Sequence, residues 1–165
     1  HPESSETFRK AAKDIGTTGR KIVQDEINST FKDRTGRLRK SWRKMTRSPK
    51  KGTILRVWIF SYSPYAAIQS TGGIITPKRG KYLTVPVHAM AKRRSARSFT
   101  NTFVRGRMIY QRNSSTSATP LYALTTQVRL PGTKYMERAG KKIRIYAASR
   151  IDQAIQDLSR DAAKG

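Results

Sequence analysis

The sequence has no cysteine among its 165 residues, which excludes a disulfide framework, thiolate metal sites and a cysteine nucleophile. Histidine is almost as scarce: His1 and His88 leave little for imidazole chemistry. No apolar run approaches the roughly 18 residues that a membrane span needs. The densest is Val57-Trp58-Ile59-Phe60, so no membrane partner is expected. The chain opens on His1-Pro2 without Met, which reads as a processed or trimmed start, and no signal-like apolar stretch follows. Acids are the most telling shortage, with ten Asp and Glu against 35 Lys and Arg and a formal charge of +25. That excess calls for an anionic partner or a crowded assembly.

The acids are Glu3, Glu6, Asp14, Asp25, Glu26 and Asp33, then Glu137, Asp152, Asp157 and Asp161. None lies between Arg34 and Met136, a stretch of 103 residues that holds 22 Lys and Arg. The basicity therefore belongs to the middle of the chain. With 36% hydrophobic residues, two Trp, five Phe and seven Tyr, the sequence can still bury a modest core, unlike a purely basic tail.

The flanks read as helices. From Phe8 the apolar positions Ala11, Ala12, Ile15, Ile22, Val23, Ile27 and Phe31 recur at three- and four-residue steps, with Ser4 or Ser5 as N-cap and a kink expected near Gly16 and Gly19. Met136, Ala139, Ile143, Ala147, Ile151, Ala154, Ile155 and Leu158 trace a second stripe, entered through Pro131-Gly132-Thr133. Thr35-Gly36 should break the first helix, and Leu38, Trp42 and Met45 suggest a short helix ending before Ser48-Pro49.

The middle reads as strands at 53–61, 81–87 and 121–130, with a weaker one at 107–111. Pro64 opens a helical turn stopped by Gly72 and Gly73, which are expected to form a backbone turn. Residues 88–102 and 113–119 lack periodicity and read as loops. The expected fold is one α+β domain over 1–165, with an antiparallel sheet of about four strands against long N- and C-terminal helices. A basic loop or hairpin insertion is expected around 88–119. Trp42, Trp58 and Ile151 are expected in the core.

Metal-dependent hydrolysis needs clustered carboxylates or histidines, and the middle offers His88 alone. No Gly-rich phosphate cradle is present, and the many Ser and Thr have no base to activate them. The expectation is a non-enzyme with no cofactor and no metal. Nucleic-acid contact has positive support: Lys78, Arg79, Lys81, Lys92, Arg93, Arg94, Arg97, Arg105, Arg107 and Arg112 put ten cations into residues 78–112 without one acid. Such a field attracts phosphate through counterion release. Nothing matches a base-reading motif, so contact should be sequence-independent. Tyr82, Phe99, Phe103 and Tyr110 lie among these charges and could stack on bases, although core or strand packing suits most of them better.

Several pieces, taken in order, resemble the head–tail joining and tail-completion proteins of tailed bacteriophages. Thr35-Gly36-Arg37-Leu38-Arg39-Lys40-Ser41 resembles that family's Thr-Gly-x-Leu-x-x-Ser. Tyr65-Ala66-Ala67-Ile68-Gln69-Ser70-Thr71-Gly72-Gly73 is similar to its Tyr-Ala-x-Ile-x-x-x-Gly segment. Lys81-Tyr82-Leu83-Thr84-Val85-Pro86-Val87 is similar to the strand with a terminal Pro that follows. Arg107-Met108-Ile109-Tyr110, Leu121-Tyr122-Ala123-Leu124 and Val128-Arg129-Leu130-Pro131 complete the order. Where the family often has Pro-x-Arg-Pro-aromatic before its last helix, this chain has Pro131-Gly132-Thr133-Lys134-Tyr135. The resemblance covers about residues 8 to 160. It implies a structural virion protein of the neck, a homo-oligomeric, hexameric ring next to connector and tail-tube proteins, with genomic DNA passing through its lumen. The basic segment would then project toward that DNA or pair with acidic surfaces of neighbouring ring proteins. A cellular, sequence-independent nucleic-acid-binding protein of ribosomal or nucleoid-like type would carry the same charge. A minor tail or baseplate protein would share the fold.

Overall fold

The computed structural model describes residues 2–31, 36–47 and 55–163, with side chains from Glu6 onward. Contacts divide the chain into two compact units, residues 1–72 with 131–165, and residues 73–130. The class is α+β, as the pattern of periods implies.

The first unit contains α1 (Pro2–Thr30), α2 (Arg37–Lys40), β1 (Trp42–Arg47), β2 (Arg56–Ser61), α3 (Pro64–Thr71) and, after the second unit, α4 (Tyr135–Ala162). The apolar stripe of α1 is buried at Ala11, Ala12, Val23 and Ile27. Val23 and Ile27 pack with Trp42, Ala66, Tyr135 and Ala139 into one cluster, edged by Ile22, Phe31, Leu38, Ile59 and Ile143. Tyr135 is its centre, fully buried and in edge-on contact with Phe31 (5.7 Å) and Trp42 (6.3 Å). Burying side chains of this size stabilises by about 1.5–3 kcal/mol each.

Two ionic ties join α1 to α4. Buried Glu26 accepts from Arg138 Nε (2.9 Å) and Lys142 Nζ (2.6 Å), and Asp14 accepts from Tyr146 Oη (2.7 Å) and Arg150 Nε (3.0 Å). Both carboxyls are held below their ordinary range. For Glu26 the Lys142 hydrogen bond is the largest cause, and for Asp14 it is the Tyr146 hydrogen bond; burial opposes both.

The start of α4 is stitched to the end of α3. Thr133 N–H and Oγ1–H donate to Gln69 O (3.1 and 2.6 Å), Lys134 N–H to Ser70 O (2.8 Å), and Tyr135 Oη to Ala66 O (3.0 Å). Lys134 itself provides no side-chain cap, and the Ser70 hydroxyl accepts from Met136 N–H (3.2 Å) in its place. A residue far away in sequence thus satisfies an orphan donor of the last helix.

The second unit holds β3 (Gly73–Ile75), β4 (Leu83–Pro86), β5 (Thr102–Arg105), β6 (Met108–Arg112), β7 (Ala118–Thr125) and β8 (Val128–Leu130), with 3-10 turns at Ala89–Ala91 and Ala96–Ser98. β3 pairs with β8, and the four-stranded sheet runs β4-β7-β6-β5, antiparallel throughout. Gly106, with φ 61, opens the two-residue loop between β5 and β6, the position a tight hairpin reserves for glycine. Where β6 meets β7, Ile109 faces Tyr122 while Tyr110 faces Pro120, so Leu121 is the extra residue of a bulge. Consecutive Leu121 and Tyr122 are consequently both buried, and with Ala91 and Phe99 they form this unit's core.

Several sequence expectations are corrected. The helix expected through Leu38, Trp42 and Met45 stops at Lys40, and Trp42–Arg47 is strand β1, in register with β2 from Trp42↔Ser61 to Arg47↔Arg56. Cross-strand pairing with Trp58, Ile59 and Phe60 outweighs a three-residue helical spacing. The expected α+β class with antiparallel sheets and long terminal helices stands; β1–β2 packs on α1, and the four-stranded sheet belongs to the second unit. α1 begins at Pro2, so Ser4 and Ser5 lie inside it rather than cap it. It also runs unbroken past Gly16 and Gly19. Both glycines face β2, where a Cβ would meet Val57 and Ile59, so they allow the helix to approach that strand closely. Ile151 is 43% exposed, Trp58 is half-buried and Trp42 is buried. The strand expected at 107–111 is present as β6, and the loop expected at 88–102 is irregular apart from two short 3-10 turns and the first residue of β5. Thr35, Ser48, Pro49, Thr53 and Ile54 lie outside the described residues.

Candidate nucleic-acid interface

All ten cations singled out in the sequence fall on the second unit, and all ten are exposed. With Arg129 that unit carries eleven Lys and Arg and no Asp or Glu. Among the described residues its cations have no carboxylate partner, since every ion pair lies on the first unit. The two units therefore differ in kind: one uses its acids as internal ties, and the other has a surface of one sign.

The structure sorts the ten into local groups. Lys78, Arg79 and Lys81 occupy the turn before β4, bent at Gly80 with φ 86. Arg105 ends β5 beside Arg107 in the hairpin loop, and Arg112 ends β6 at the opposite end of the hairpin. By register Phe103, Arg105, Tyr110 and Arg112 share one face of the sheet, while Ile109 and Tyr122 lie on the other. Phe103 stacks on Tyr110 at 5.5 Å between centroids, and the Arg112 guanidinium lies 5.4 Å over Phe103. Lys81 lies 5.6 Å over Tyr82.

Lys92, Arg93, Arg94 and Arg97 form the most tightly built group. Lys92, Arg93 and Arg94 lie between the two 3-10 turns and Arg97 within the second, while Ala91 and Phe99, at the ends of those turns, pack into the core beside Tyr122. The Tyr122 hydroxyl meets two carbonyls of this corner, Ala91 O at 3.2 Å and Arg94 O at 2.8 Å. Its single proton serves one of them at a time. Arg94 lies 4.3 Å over the Phe99 ring, and Arg93 adopts φ 68, unusual for a non-glycine residue. Ser95 Oγ accepts from Arg97 N–H (3.3 Å) and His88 Nδ1 from Met90 N–H (3.2 Å), so the chain's internal histidine caps a turn. Sequence reasoning missed Tyr122 as the organiser of this corner. It lies 28 residues from Arg94, and no local pattern connects them.

Gly72 and Gly73 sit where the chain leaves the first unit for the second. Gly72 caps α3 with φ 77, its N–H donating to Ile68 O (2.9 Å), and Gly73 opens β3. Among the described residues no group of His, Asp and Glu could hold a metal ion, and no helix is long and apolar enough to cross a membrane. Comparison with protein-family models, with curated proteins and with solved structures finds no match.

Proposed function

We propose that this chain is a non-enzymatic structural protein of a tailed-phage neck, a homo-oligomeric ring component between capsid and tail, and that its second unit contacts the phosphate backbone of the passing genome. The observation that carries the DNA contact is the acid-free unit 73–130, with every one of its eleven Lys and Arg exposed. Natural surfaces mix signs, because a one-sign field costs folding stability through self-repulsion; such a field is useful where a polyanion neutralises it. Contact of this kind positions a duplex without reading bases, which suits a channel that must pass every sequence. The ordered resemblance from Thr35 to Pro131 supports the neck assignment, and the hexameric ring and the virion location come with it.

The test is native mass measurement and negative-stain imaging of the purified protein at low and high salt, with and without nonspecific duplex DNA. Rings, including rings that form when salt screens the repulsion, support the proposal. A salt-stable monomer that coats RNA or DNA overturns the neck assignment in favour of a cellular nucleic-acid-binding protein. Rings indifferent to DNA turn the basic surface toward acidic neighbouring proteins.

A further inference from the structure

We propose that the corner formed by Lys92, Arg93, Arg94 and Arg97 is a preorganised phosphodiester-binding site, and that Tyr122 is its positioning residue. This rests on the DNA-contact reading above and adds which cations bind and what holds them. Affinity from flexible cations is diminished by the entropy of ordering them, so a site fixed before binding retains more of its electrostatic gain. Here the backbone is fixed from beneath. The Tyr122 hydroxyl, on a residue only 2% exposed, reaches the carbonyls of Ala91 and Arg94, the two ends of the turn that carries Lys92 and Arg93.

Side chains contribute as well. Arg94 is held over the face of Phe99, which is itself buried and edge-on to Tyr122 at 6.1 Å. A guanidinium stacked this way loses less freedom on meeting phosphate and keeps its N–H donors in the plane of the group. Arg93 sits at a positive φ that an L-residue adopts at a cost, held there by the packed turns on either side. Four cations within six residues face no competing carboxylate in their unit. The neighbouring group differs: among the described residues no buried hydroxyl ties down the turn at Lys78, Arg79 and Lys81.

The experiment is fluorescence anisotropy of a short labelled duplex titrated with the full chain at several salt concentrations between about 50 and 200 mM. The variants are Tyr122→Phe, Arg93→Ala with Arg97→Ala, and Lys141→Ala on α4 as control. The double arginine variant should weaken binding and reduce the slope of log affinity against log salt by about 2, one for each phosphate that is no longer neutralised. Tyr122→Phe keeps the ring and every cation. It should weaken binding by about 3- to 10-fold at fixed salt with an unchanged slope and an unchanged circular dichroism spectrum. Lys141→Ala should change neither. If the parent chain binds and the arginine variant keeps the full slope, the site is wrong while the DNA-contact reading stands. If Tyr122→Phe binds as the parent does, the positioning role is wrong. A parent chain that fails to bind any duplex overturns both.

Discussion

Replacing Gly132 by Ala tests the junction that docks the last helix. A Cβ at this position would lie 2.6 Å from Thr71 O, 2.7 Å from Thr71 C and 2.9 Å from Ser70 O. These are backbone atoms in the last turn of α3, so no side chain can swing aside. Restoring the shortest approach to an ordinary 3.4 Å contact requires a withdrawal of 0.8 Å. A withdrawal of that size strains the bonds from Thr133 N–H to Gln69 O, Lys134 N–H to Ser70 O and Met136 N–H to Ser70 Oγ. At a net of about 1 kcal/mol each, weakening all three costs about 2–3 kcal/mol. Alanine returns about 0.4–1 kcal/mol by restricting the unfolded chain, which leaves a net loss of about 1–2.6 kcal/mol. Gly140, five residues inside α4, is the internal control, because a Cβ there meets nothing within 4 Å. Gly140→Ala should stabilise by about 0.5–1 kcal/mol through helix propensity alone. Equilibrium urea unfolding followed by far-ultraviolet circular dichroism reads both. A Gly132→Ala midpoint at or above that of the parent would refute the reasoning.

Glu26→Gln should lower stability at neutral pH by about 1–2 kcal/mol, less than a fully buried pair would lose because Arg138 and Lys142 are themselves largely exposed. Since the folded Glu26 is held below its ordinary value of 4.5, the stability it contributes is present above that pH and lost as pH falls through the lowered value. The variant should therefore show a flatter acid limb in a series of thermal melts, and an unchanged limb would contradict the tie. Ser70→Ala removes the borrowed cap of α4 and should cost about 1 kcal/mol in the same urea assay, while Ser70→Thr should recover part of it. Equal midpoints for Ser70→Ala and the parent would show that Met136 N–H needs no acceptor there.

The long helices were legible because their stripes are long: the apolar residues of α1 and α4 each recur over about six turns. Leu38 to Met45 was misread because three residues define a period poorly, and pairing with β2, which lies beyond the sequence window, decides between helix and strand. Ile151 fitted the stripe of α4, but the face that α1 covers passes through Ala139 and Ala154, and Ile151 falls at its margin. The ten candidate cations could be named from the acid-free run alone. Their division between a tyrosine-pinned corner and the two ends of a hairpin could not, because Tyr122, Phe99 and the bulge at Leu121 act through contacts distant in sequence.

The contrast between the two units has a consequence for salt that follows from sign alone. In the first unit the ties from Glu26 and Asp14 are attractions between opposite charges, which screening weakens. In the second unit every formal charge is positive, so each pairwise term between side chains is repulsive and screening relieves it. Raising salt from about 20 mM to about 300 mM shortens the screening length from roughly 20 Å to below 10 Å, which reaches into the spacing of charges on a unit of this size. Amide exchange in β6 and β7 should therefore slow as salt rises, while exchange in α1 and α4 holds or quickens. Hydrogen-exchange mass spectrometry at the two salts separates these peptides in one experiment. A duplex bound to the basic surface would replace salt as the neutralising agent and protect β6 and β7 even at low salt, because anything that binds the folded form stabilises it. Faster exchange of β6 and β7 at high salt would mean that repulsion does not limit this unit, removing the physical ground for expecting a polyanion there.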